Sequence, residues 1–231
     1  MKKQKEIGFD IEIDEMTNSI KNVISGDSFS TDISRITKTD LKTITKKDGW
    51  LFDWKLELSH PERDIYKLTI VNNQSIIQGL ISLEVKSDHV YMHLVESAPF
   101  NKGKTKLYAG VPGNLVAFAC KLSFQRGHEG NVAFISKTQL IDHYIESLGA
   151  EHVGGRLMII DSAAALKLIN RYFSNIQIMK TKKVELDVDF IGGQTSLTKE
   201  EEKAIHEYIK KSKSKRTKST SLKTKTVKQL I

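Results

Sequence analysis

The stretch Tyr108-Ala109-Gly110-Val111-Pro112-Gly113-Asn114-Leu115 lies where one hydrophobic period gives way to another. Upstream, apolar residues alternate. Downstream, Leu115, Phe118, Ala119 and Leu122 recur at i, i+3, i+4 and i+7, which predicts a helix from Gly113 to Arg126 ending at Gly127. The junction is a glycine-rich turn from strand to helix. Its glycines permit positive φ and close backbone approach. Pro112 suits the first helical position, where a missing N–H costs nothing. The free N–H groups of Gly113, Asn114 and Leu115, backed by the helix dipole, form a ready anion site. The same turn also serves simply to start a buried helix. It is not a P-loop, because no Gly-Lys-Ser/Thr follows, and it is not a dinucleotide fingerprint, because a strand meander precedes it.

Outward from this turn, upstream, the pattern predicts four strands with short turns: 52–58, 65–71, 76–85 and 90–95. An earlier strand is expected over 7–13, and the signals from Asn18 to Lys47 are mixed. Downstream come a buried strand at 132–135 and a helical stripe of Leu140, Ile141, Tyr144, Ile145 and Leu148, with Gly149 as its left-handed cap. A strand broken near Gly154-Gly155, a helix over 163–173 and an alternating strand over 184–190 follow. Thr198 and Glu201 then have capping-box spacing before a charged helix of about three turns. The order implies a mixed α/β sheet, with the strand after residue 130 parallel to the one ending near Val95 through a crossover helix.

This order, the turn at Gly110-Val111-Pro112-Gly113 and the segment Tyr144-Ile145-Glu146-Ser147-Leu148-Gly149-Ala150 together resemble the GCN5-related N-acetyltransferase (GNAT) family over residues 50–173. The resemblance implies a GNAT-like α/β fold: a mixed, mostly antiparallel central sheet with flanking helices. It implies acetyl-CoA as co-substrate and direct attack of an amine on the thioester. Val95 would orient the thioester, and Gly110, Val111, Gly113, Asn114 and Leu115 would hold the pyrophosphate. Tyr144 would protonate the departing thiolate. The sequence departs from the family at Leu107, where Arg or Gln is usual, and at Pro112, which cannot donate a backbone hydrogen bond.

For the general base, Glu96 and His93 stand as alternatives. Strict alternation puts Met92, Leu94 and Glu96 on one face, where a carboxylate would need a partner or a bulge. Read without the family, Tyr144 is a packing residue on an apolar stripe, and Glu96 and His93 are ordinary strand residues. The other histidines have no metal-ligand spacing, so no metal is expected. Cys120, the single cysteine, reads as a buried structural thiol and fits a reducing cytoplasm.

The formal charge of +8 belongs to the C-terminus. Residues 209–231 hold nine Lys/Arg and no acid, leaving 27 basic and 28 acidic residues elsewhere. The tail is too polar to offset ordering entropy and is expected to be disordered, with weak nucleic-acid contact open to it. The expected divisions are 1–49 as an N-terminal extension packing on the core, 50–174 as the acyl-CoA-binding domain, 175–208 as a C-terminal strand and helix, and 209–231 as the basic tail. No run of 18 apolar residues is present, and the N-terminus leads into no apolar segment, so neither a membrane span nor a secretory signal is expected. The function expected is acetyl-CoA-dependent N-acetyl transfer to an unknown amine, small, protein-borne or on an aminoacyl-tRNA, with a homodimer left open. The alternative is a catalytically inactive GNAT-like module that binds acyl-CoA or a partner.

Overall fold

The computed structural model describes residues 19–173, 185–194 and 196–228, with side chains up to 215. The strand expected over 7–13 and the start of the one expected over 184–190 lie outside these residues. The chain forms strands β1 (Ser19–Asn22), β2 (Ser28–Arg35), β3 (Arg63–Ile70), β4 (Asn73–Val85), β5 (Val90–Ser97), β6 (Tyr108–Ala109), β7 (Val132–Ile135), β8 (Glu151–Gly154), β9 (Leu157–Ile160) and β10 (Phe190–Gly192). Helices are α1 (Trp54–Leu58), α2 (Val111–Gln125), α3 (Ile141–Leu148), α4 (Ser162–Phe173) and α5 (Lys199–Lys228). One sheet runs in the order β6-β1-β2-β3-β4-β5-β7-β9-β8, and β10 pairs with β5 off that path. All strand pairs among the described residues are antiparallel except β5 with β7, where α2 makes the crossover. This is the mixed, mostly antiparallel sheet with flanking helices that the sequence implies.

Three corrections to the sequence reading have simple causes. The strand expected over 52–58 is helix α1, because Asp53 accepts from the N–H groups of Lys55 and Leu56, both at 3.1 Å, and caps a helical turn. The outer strand of the meander is instead β2, paired with β3 over Thr31–Arg35, so residues 19–35 are part of the sheet rather than an addition to it. Last, α5 does not stop after three turns. It continues to Lys228, through the stretch expected to be disordered; no Gly or Pro interrupts it, and Lys and Arg, which favour helix, make up nine of residues 210–228.

The main core lies between α2, α3 and α4 and one face of the sheet, with Met92, Val95, Leu115, Val116, Cys120, Phe134, Tyr144 and Met158 fully buried. Cys120 is sealed in it, and burial pushes its thiol pKa well up. A second cluster packs Trp50 and Trp54 against Leu80 and Leu94. On the third side, Ile205 and Ile209 of α5 cover Tyr91, Ala133, Leu157 and Ile159. The start of α5 is fixed as the spacing predicts: Glu201 N–H donates to Thr198 Oγ1 at 3.2 Å, and Thr198 N–H donates to Glu201 Oε2 at 2.9 Å. Because Ile205 is fully buried, Ile205→Ala is expected to cost about 2–5 kcal/mol in urea denaturation. A cost below about 0.5 kcal/mol, the size of a surface change, would mean that α5 does not dock on this face.

Candidate active site

The site is set by the edge of β5. It pairs with β7 only at Val90↔Val132 and Tyr91↔Ala133, after which the two parallel strands part. On its other side, β5 pairs with β4 through a bulge: Ser82 faces Leu94 and the next residue, Leu83, faces Met92, so His93 is extra. The bulge shifts the alternation. Met92 and Val95 belong to the core under α2, whereas Leu94 packs with Trp54 and Glu96 bonds to it on the opposite face. The expectation of Met92, Leu94 and Glu96 on one face therefore fails, because strict alternation does not survive an inserted residue.

Beyond the point of divergence, β10 takes the edge that β7 leaves. Phe190, Ile191 and Gly192 face Glu96, Val95 and Leu94. Ser97 N–H donates to Asp189 O, and Gly193 N–H donates to His93 O at 3.1 Å. Gly192 has φ +79°, and a Cβ there would lie 2.1 Å from His93 O, so only glycine lets the segment seat on the bulge. The backbone of Val95, expected to orient a thioester, is in this structure bonded to the chain's own strand.

The head of α2 starts two residues earlier than the sequence predicts, at Val111, so the Asn114 N–H expected to be free for an anion donates instead to Gly110 O at 3.0 Å within the helix. Gly110 stands at the N-cap with φ +88° and no side-chain cap, and Pro112 is the second helical residue. Val111, Gly113, Asn114 and Leu115 are buried. Asn114 donates through Nδ2 to Ser19 O and Gly110 O, both at 2.9 Å, and so ties the turn to β1. Its Oδ1 is buried with no hydrogen-bond partner among the described residues. The glycine at 113 answers to Tyr172 of α4: a Cβ there would lie 2.1 Å from the tyrosine oxygen and 3.1 Å from Glu185 Oε1. Tyr172 donates to Glu185, and Arg171 pairs with its other oxygen at 2.9 Å. A carboxylate thus stands beside the helix N-terminus, where an anion is favoured.

The three candidate catalytic side chains fall in different surroundings. Tyr144 on α3 is fully buried, with its ring edge-on to Phe134 at 5.3 Å. Its hydroxyl has no partner among the described residues, and burial pushes its pKa up, so it keeps its proton at neutral pH. Glu96 is fully buried and saturated: Leu51 N–H donates to Oε1 at 2.6 Å, Trp54 Nε1–H to Oε2 at 2.8 Å, and Lys102 Nζ to Oε1 at 2.6 Å. Those contacts make it an anchor for the 50–54 segment. His93 is nearly buried, and its Nε2 bonds Glu84 Oε2 at 2.8 Å. A carboxylate partner takes an N–H, which leaves Nδ1 as a bare lone pair, buried and without a partner among the described residues. Burial lowers the His93 pKa, against the opposing pull of Glu84, so the ring is neutral at neutral pH.

His93 opens onto a cavity of about 340 Å³ whose lining includes Glu62, Glu84, Tyr91, Lys86 and Glu202. Lys86 bridges Glu84 at 2.6 Å and Glu202 at 3.1 Å. Sequence reasoning missed Glu84, Glu185 and the pairing of β10. The strand expected over 184–190 is not formed at residues 185–189; the strand lies instead at Phe190–Gly192, past the alternation, and nothing in the pattern named the edge that it would meet.

No protein-family model matches the chain, and no curated protein does. Among solved structures it is similar to the ribosomal-protein-S18-alanine N-acetyltransferase from Escherichia coli, at 16% identity over 56% of this chain and 90% of that one, with TM-score 0.41. It is also similar to a spermidine N-acetyltransferase SpeG chimera from Vibrio cholerae and hSSAT, at 16% identity over 59% of this chain and 98% of that one, with TM-score 0.42.

Glu96→Ala would leave Lys102 and two N–H donors facing a buried void. Its expected cost is about 3–5 kcal/mol in chemical denaturation, as for other broken buried pairs. A cost under about 1 kcal/mol, the value of an exposed pair, would show that the Glu96–Lys102 contact does not persist in solution.

Proposed function

We propose that the chain is an N-acyltransferase that uses an acyl-CoA, with acetyl-CoA as the donor, and acts on an amine. The observation that carries this reading is the buried His93–Glu84 pair at a bulge in β5, beside the point where β5 and β7 part. It sets a neutral histidine in the lining of a cavity, its lone-pair Nδ1 buried without a partner among the described residues. The orphaned Tyr144 hydroxyl, whose ring packs on Phe134 of β7, fits a further polar ligand in the wedge that opens where β5 and β7 part. Against the fit stand β10 on the β5 edge and Glu185 at the head of α2, which such a donor would have to displace.

On this reading, Glu84 holds the imidazole in the tautomer whose Nδ1 takes the proton from an incoming ammonium. The protein-borne or free amine enters through the cavity, where three carboxylates, Glu62, Glu84 and Glu202, face two cations, Arg63 and Lys86. When bound, the acyl thioester supplies the electrophilic carbonyl. Tyr144 keeps its proton at neutral pH and holds it for the leaving group. Glu96 anchors Trp54 and Lys102 and takes no proton. The acceptor among small amines, protein amines and aminoacyl-tRNA is not chosen by these features.

A second reading rests on β10. If its pairing with β5 is permanent, the wedge is filled and the chain is an inactive, partner-binding member of the same fold.

Calorimetry with acetyl-CoA separates the two. Gly192→Val places a side chain against His93 O and at positive φ, so β10 must leave the edge. The variant is expected to bind acetyl-CoA roughly tenfold or more tightly than wild type, because the cost of opening is removed. Binding by Gly192→Val alone would favour the filled-wedge reading, and absence of binding by both proteins would overturn the acyl-CoA reading. In the active case, the acid limb of the pH–rate profile should lie below 6.5, the ordinary histidine value, because burial depresses the His93 pKa and keeps the base neutral to lower pH. His93→Gln should lower turnover by roughly 10²–10⁴ and remove that limb. An unaltered profile would exclude His93 as the base.

A further inference from the structure

The turn between β4 and β5 brings Asp88 and His89 against His206, which lies in the second turn of α5. The contact joins residues 118 positions apart. Asp88 uses both oxygens: Oδ1 lies 2.8 Å from His89 Nδ1, and Oδ2 lies 2.7 Å from His206 Nδ1. One ligand atom from each of the three lies within 4.8 Å of the others. The two rings meet edge-on with centroids 6.0 Å apart. His89 is buried, Asp88 half-buried and His206 exposed, so the group is walled by protein on one side and open to water on the other. His128, in the turn after α2, lies within electrostatic reach of Asp88. The Nε2 atoms of His89 and His128 are buried without hydrogen-bond partners among the described residues.

We propose that Asp88, His89 and His206 form a binding site for a divalent transition-metal ion, zinc by preference, independent of the acyl-transfer site. Two imidazoles and one carboxylate are a donor set for zinc rather than for magnesium or calcium, which take oxygen alone. Zinc binds such atoms at about 2.0–2.2 Å, which places neighbouring ligand atoms a little over 3 Å apart in a tetrahedral shell. The N···O separations of 2.7–2.8 Å, one to each oxygen of Asp88, must open and the three donors, now within 4.8 Å of one another, must converge on one point to hold the ion. Each imidazole then carries its proton on Nε2 and turns the Nδ1 lone pair to the metal. The open side leaves a coordination position to water. The ion ties the first half of α5 to the β4–β5 turn. Glu202, one turn before His206, lines the cavity of His93, so the metal fixes one wall of that cavity.

The test is titration of the full chain with zinc chloride by calorimetry, and with cobalt(II) by visible absorption. Wild type is expected to take one equivalent and to show the intense bands of a four-coordinate cobalt site. His206→Ala, an exposed substitution that leaves the core intact, should weaken binding roughly tenfold or more and abolish the bands. Asp88→Asn should do the same. Zinc should raise the melting temperature of wild type and leave that of His206→Ala unchanged. Equal binding by wild type and His206→Ala would place the metal elsewhere and overturn the proposal. So would the absence of saturable binding by wild type.

Discussion

A strand edge can be paired only once, and the architecture turns on how the edge of β5 is shared. For two residues it belongs to β7; from there on it is taken by β10. The bulge at His93 makes this sharing possible, since it twists β5 and sets its two ends on different programmes of burial. Before the bulge, odd residues face α5; after it, Val95 faces α2 and Glu96 faces Trp54. One inserted residue thereby carries a titratable ring to a cavity mouth and a carboxylate into a fully bonded socket.

Much of this was legible in the sequence where the signal is local. The helix after Gly110 follows from the spacing of Leu115, Phe118, Ala119 and Leu122, and Gly149 takes the left-handed cap at φ +66° that its place after Leu148 predicts. The Thr198–Glu201 box is formed on both sides. These features depend on residues three to seven apart. What could not be read depends on distant partners. A period-2 pattern does not show where a bulge will interrupt it, so the face assigned to Glu96 was lost with His93. The spacing of Asp88, His89 and His206 means nothing until α5 lies on the sheet.

The buried polar groups divide by how completely they are met. Glu96 and Glu57 are fully bonded: Arg63 Nη1 reaches both Glu57 oxygens at 2.9 and 3.0 Å, and Ser82 donates to Oε1 at 2.7 Å. Such groups fix segments in place. His93, Tyr144 and Asn114 each keep one buried atom without a partner among the described residues. An unmet buried donor or acceptor costs about 1–3 kcal/mol.

The burial of Cys120 gives the molecule a practical property. Its thiol is the chain's single sulfhydryl, closed off from water under α2 and held protonated far above neutral pH. Thiol reagents attack the thiolate, so the native protein is silent toward them while folded. A cysteine introduced at an exposed position along α5, such as Lys203 or Glu207, would therefore react alone. The fold supplies its own blank background for fluorescent or spin labels, and the movement of that helix can be followed without first removing a native residue.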